Sequence, residues 1–163
     1  MSDQPRILGA PVDQDRLQED LKKYQQKALE LGASGAVAVP VASIEVDERV
    51  RLKCLSPRCN QAGQTPNCPP NAPDLKLVRK ALARYQWAIL IKCDVDVAEF
   101  DPAKAASRKP KEGRHAFHSK GNQLVEELER LAFRDGYHLA MAFGGGSCRQ
   151  RPSPDDKIGR AHV

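Results

Sequence analysis

Residues 54–68 read CLSPRCNQAGQTPNC, so three of the five cysteines fall within one short stretch of Pro, Gly, Asn, Gln and Thr. No other segment constrains the fold as tightly. The stretch has too little apolar surface to bury, so something other than a core must offset the entropy lost on ordering it. Pro57, Gly63, Pro66, Pro69 and Pro70 supply turns. Prolines also restrict the unfolded chain, which lowers the cost of fixing the loop.

Cys54, Cys59 and Cys68 are separated by spacers of four and eight residues. Thiolates take soft or borderline ions, either zinc or the irons of an iron–sulfur cluster. Neither spacing is the C-x2-C pair of a zinc ribbon, so spacing leaves the metal open. The plain alternative is three unrelated surface cysteines. Exposed thiols invite oxidation, which weighs against it. Cys68 lies just before an expected helix, whose N-terminus favours negative charge. That placement suits an anionic cluster and equally a reactive thiol.

Cys148 follows three glycines at the end of an expected strand, where open α/β sheets place their sites. Successive glycine amides can nest an anion. A phosphate loop is the rival reading, but no Gly-Lys-Ser/Thr follows. Cys93 shares a strand face with Ile89 and Ile91 and reads as buried packing. His115, His118 and His138 receive no role.

At 163 residues and 40% hydrophobic, the chain suffices for one domain with one core. No apolar run approaches a membrane span. The N-terminus MSDQPRILGAPVDQD lacks a signal peptide's basic start and apolar centre. The expected compartment is the reducing cytoplasm, where clustered cysteines hold metal more often than they pair. Net charge is +5, but the 26 basic residues are spread among 21 acidic ones. The densest basic stretch, 104–120, holds a single aromatic, Phe117, whereas single-strand binding interleaves aromatics with charge. A nucleic-acid partner is therefore not expected.

Residues 1–12 read as an extended arm. Asp13 caps a helix whose stripe is Leu17, Leu21, Tyr24, Ala28 and Leu31, and Gly32 ends it. Residues 36–42 form an apolar strand, with 43–54 extended after it. A second helix spans 73–85, with Pro73 in its first turn and Asn71 or Ala72 as cap. Residues 87–94 are a covered strand. A polar connection leads to a third helix, 114–135, striped by Phe117, Gly121, Leu124, Leu128 and Leu131. Residues 137–143 are the last strand. This order predicts an α/β layered domain: a mostly parallel sheet flanked by about three helices, plus an irregular cysteine loop. Ile89, Ile91, Leu128, Leu131, Leu139 and Met141 are its expected core.

Four motifs, ELGAS (30–34), DERVRLKC (47–54), NCPPNAPDL (67–75) and GYHLAMAFGGGSC (136–148), make the chain resemble a known family. It is a bacterial and archaeal family described as metal-binding proteins of unknown function. The likeness covers roughly residues 28–148. The Cys-Pro-Pro and Gly-Ser-Cys elements are its most specific parts. It implies that Cys54, Cys59, Cys68 and Cys148 are the metal ligands. Family members then continue with further cysteines in a ferredoxin-like run and an Arg-Pro-Ser segment, and this chain departs from them there. Its last residues, IGRAHV, match the translation of a common sequencing adapter. The expected organisation is one metal-binding domain at 13–148 and an artefactual, truncated tail at 149–163.

The leading functional expectation is a thiolate metal protein, iron–sulfur rather than zinc, with an electron-transfer or redox-accessory role and a protein redox partner. The alternative is a zinc-stabilised structural or regulatory module. A thiol enzyme ranks last, because no base is placed by sequence beside Cys68.

Overall fold

The computed structural model describes residues 12–59, 62–63, 68–97 and 116–144, with only the backbone of 116–119. The N-terminal arm, residues 98–113 of the polar connection expected over 96–113, Cys148 and the tail lie outside the described residues, apart from Val12. The elements are α1 (Gln14–Glu30), β1 (Gly35–Pro40), a 3-10 turn (Val41–Ser43), α2 (Glu48–Leu55), α3 (Leu75–Leu82), β2 (Trp87–Lys92) and α4 (Ala116–Arg134). Contacts divide the chain into two compact units. One is built on α1, β1, β2 and α4, and the other is the insert Pro40–Gln86 that carries the cysteine loop.

The first unit forms as its periodicity dictates. The Asp13 carboxylate accepts from the Arg16 N–H at 2.9 Å, satisfying an amide the helix cannot reach. Leu21, Tyr24 and Ala28 then recur on one face and are buried. Gly32, at φ 95°, ends the helix in a conformation that side-chain-bearing residues avoid. α4 answers with Leu124, Leu128 and Ala132, and the two helices pack into one core. Ala36, Ile89, Ile91 and Leu131 pack against its edge.

Two polar links fasten the end of α4 to α1. The Tyr24 hydroxyl donates to Asp135 at 2.8 Å, and Lys23 Nζ reaches the same oxygen at 2.6 Å. The Tyr137 hydroxyl donates to Asp20 at 2.7 Å, and the two tyrosine rings meet edge to face at 6.1 Å. Burial, with Asp135 accepting its proton, pushes the Tyr24 phenol far above its usual range. For Asp135, partial burial acts upward, but the hydrogen bonds from Lys23 and Tyr24 outweigh it and hold the carboxyl below its usual value.

The expected mostly parallel sheet flanked by three helices does not form. Among the described residues there are four helices and a sheet of two strands, β1 and β2. The sheet is antiparallel. Ser34, before β1, donates to the carbonyl of Lys92 at the end of β2 (2.8 Å), while Val41, after β1, donates to Gln86 before β2 (3.0 Å). The apolar runs that read as parallel strands are half-buried strands instead. Ala36, Ile89 and Ile91 face the helices, whereas Val37 and Leu90 are exposed.

Residues 137–143 do not add a third strand. Ala140 N–H folds back to the Tyr137 carbonyl, and Ala142 N–H is taken by the Glu129 carboxylate of α4 at 2.5 Å. With these donors used, Leu139 and Met141 stand 66% and 58% exposed, against the expectation that they are core. Just beyond, Gly144 lies against the buried Asn122 of α4, and a Cβ at 144 would land on the Asn122 amide oxygen. Any other residue there displaces the buried amide.

Leu124, 3% exposed at the centre of the core, should cost ~2–4 kcal/mol when replaced by alanine, read from chemical denaturation. A carboxylate depressed in the folded state stabilises above its unfolded pKa and loses that contribution as pH falls through the folded value. Wild type should therefore lose stability below about pH 4. Asp135→Asn should lower the melting temperature at neutral pH and flatten that acid limb, as followed by circular dichroism.

Candidate metal centre

The insert opens with the 3-10 turn and then α2, where extended chain was expected over 43–54. The alternation of Ile44, Val46, Val50 and Leu52 suggested a strand, but end signals win. The Asp47 side chain accepts from the Arg49 N–H at 2.7 Å, Glu48 occupies the first turn and Lys53 the last. Arg49 also grips Asp47 through its side chain, and the two bonds hold that carboxyl below its usual range. Arg79 of α3 donates to the Val46 carbonyl at 2.6 Å and pairs with Glu48, while Arg51 reaches the Pro73 carbonyl at 3.2 Å. These long-range links fix α2 against the α3 end of the insert. They matter because no residue of either helix is buried.

Cys54 lies in the last turn of α2 and is half-buried. Beyond it the chain doubles back through an antiparallel bridge between Leu55 and Arg58. This brings the Cys59 N–H to the Cys54 carbonyl at 3.0 Å. The Ala62 N–H then bonds the Cys59 carbonyl at 2.9 Å, and Arg58 reaches the Ala62 carbonyl at 3.4 Å. Gly63, at φ 80°, donates to the Pro69 carbonyl at 2.8 Å. The Cys68 carbonyl accepts from Asn71 and Ala72, at 2.9 and 3.1 Å. Ala62 and Pro69 are buried, so the loop does have a small interior of its own. Cys59 is exposed and Cys68 half-buried.

Three sequence expectations change here. α3 begins at Leu75 under an Asp74 cap, which accepts from Lys76 N–H at 2.6 Å, so neither Asn71 nor Ala72 is the cap and Pro73 precedes the helix. Cys68 is therefore a full turn and more before the helix, and its carbonyl organises a turn instead. Cys93, read as core, is exposed, because β2 ends at Lys92 and Cys93 leaves the packed face. Cys148 lies outside the described residues. Sequence reasoning gave Asn71 the role of a cap instead of a tie across the loop, and missed Arg79 and the capping role of Asp47. Asp47 followed by Glu48 ahead of a Leu/Val run was the signal for the last of these.

Among the described residues, no three His, Cys, Asp or Glu side chains stand together as a metal-holding group. The donor set nonetheless suits a thiophilic ion in kind. Three thiols sit on one hydrogen-bonded loop, and residues 54–73 contain no Asp, Glu or His to favour a hard cation. No helix among the described residues is long and apolar enough to cross a membrane.

The family described as "Predicted metal-binding protein (DUF2284)" matches residues 37–151, and the chain belongs to it. The match takes in the whole cysteine insert, β2, α4 and the Gly-Ser-Cys segment. No curated protein and no solved structure matches the chain.

Loss of the α2 cap should expose the first thiol. Asp47→Ala is expected to raise the alkylation rate of Cys54 several-fold and leave that of Cys93 unchanged, as measured by mass spectrometry of labelled peptides.

Proposed function

We propose that the chain is a thiolate metal protein in which Cys54, Cys59, Cys68 and Cys148 are the ligands of an iron–sulfur cluster. In this reading it serves a redox or electron-transfer partner in a reducing compartment such as the cytoplasm. The single observation that carries the reading is the wiring of the insert. The carbonyls of Cys54, Cys59 and Cys68 all accept within one hydrogen-bonded loop. Membership of a metal-binding family supports it.

A bound cluster would supply one-electron chemistry at a potential set by its ligands, hydrogen bonds and exposure. The chain's own residues do the rest. The loop brings three thiol-bearing residues onto one short segment. Asp47 and Arg79 hold α2, which carries the first of them. Exposure of Cys59 leaves one side of the loop open to solvent or to a partner.

A zinc-stabilised structural or regulatory module is the second reading, favoured by the same carboxylate-free thiol set. Anaerobic purification separates the two. A brown protein with acid-labile sulfide supports the cluster, and a colourless protein with stoichiometric zinc supports the module. A protein that takes up neither overturns both.

Serine at Cys54, Cys59 or Cys68 should lower metal retention at least tenfold, since disturbing even outer-shell groups costs about that much. Cys93→Ser should leave it unchanged. Equal losses in all four variants would refute the assignment. Metal content by atomic emission, per folded chain, is the measurement.

A further inference from the structure

We propose that Asn71 and Gly63 form a clasp that sets the separation of the Cys59 and Cys68 arms, making both positioning residues of the thiol loop rather than ligands. The proposal rests on the metal-binding reading above and deepens it.

Both backbone polar groups of Gly63 are used across the loop. Its N–H donates to the Pro69 carbonyl at 2.8 Å, and its carbonyl accepts from the Asn71 side-chain amide at 3.4 Å. Asn71 is engaged at both ends as well, since its backbone N–H donates to the Cys68 carbonyl at 2.9 Å. One residue before Gly63, Ala62 is tied to Cys59, and Cys59 in turn to Cys54. The result is a continuous path of bonds, Cys54 to Cys59 to Ala62 and Gly63 to Asn71 to Cys68. Asn71 is where the two arms join through a side chain.

The residue types fit this role. Position 71 needs a donor on a short stem. Aspartate has the length but no donor, and would set an oxygen against the Gly63 carbonyl. Position 63, at φ 80°, suits glycine, and asparagine is the side-chain-bearing residue that best tolerates that region. A β-branched residue there would have to leave it, breaking both Gly63 bonds together.

The test uses the full chain, reduced and metal-free, with Co2+ as probe. Its thiolate charge-transfer absorption reports affinity and coordination. Asn71→Asp and Gly63→Val should each weaken Co2+ binding about tenfold or more, the range seen when groups behind a ligand are lost. Gly63→Asn should stay within about threefold of wild type, a rescue that depends on backbone conformation and not on volume. A second readout needs no metal. The Gly63 amide should exchange about tenfold faster in Asn71→Asp, while the α1 and α4 core amides keep their protection. Variants that match wild type in both Co2+ affinity and Gly63 exchange overturn the clasp. If wild type itself takes up no Co2+, the metal reading falls, and Gly63 exchange alone then decides the clasp: faster in Asn71→Asp upholds it, unchanged refutes it.

Discussion

The hydrogen bond from Val41 N–H to the Gln86 carbonyl holds the two ends of the insert together. On one side of it β1 pairs with β2. On the other, everything from the 3-10 turn through the cysteine loop to α3 is a single closed loop. The entropy of closing a long loop rises only slowly with its length, by about 0.6 kcal/mol per doubling. Closure at the strand ends therefore restrains a long segment for little more than a short one would require. Within that closed loop neither helix buries a residue. Arg79 and Arg51 supply the internal ties that a hydrophobic core would otherwise give.

The helical part of the fold was legible in the residues. Leu21, Tyr24 and Ala28 in α1, and Leu124 and Leu128 in α4, repeat at helical spacing, and each helix buries that stripe. The strands were legible as elements but not in direction. An apolar run such as Trp87–Ile91 records how much of a strand is covered and carries no sign of which way its neighbour runs. A helix between two strands suggested a parallel crossover, yet the intervening segment returns to the strand it left. The 137–143 stretch failed for a different reason. Its alternation is real, but Glu129 takes the Ala142 N–H that a sheet would have needed. α2 was lost because the alternating apolar residues read as extended chain and the Asp47 cap went unread.

At the site, what could be read was the chemistry rather than the wiring. Three thiols without a nearby carboxylate announce a preference for soft ions, whatever the backbone does. The bonds through the cysteine carbonyls depend on irregular turns three to five residues long, and the part Asn71 plays on a side chain reaching eight residues back. Pattern reasoning has no period for such turns. The placement of Cys93 shows the limit at single-residue scale, since one step beyond the end of β2 moves a side chain from a packed face to solvent.

The chain holds a single tryptophan, Trp87, half-buried as the first residue of β2 and directly after Gln86. It sits beside the bond that closes the insert. Any process that parts β1 from β2 at this point wets the indole, and a wetted indole emits at longer wavelength. The junction thus carries its own optical gauge, readable in an unlabelled chain even with Tyr85 two residues away, because red-edge excitation selects an indole over a phenol.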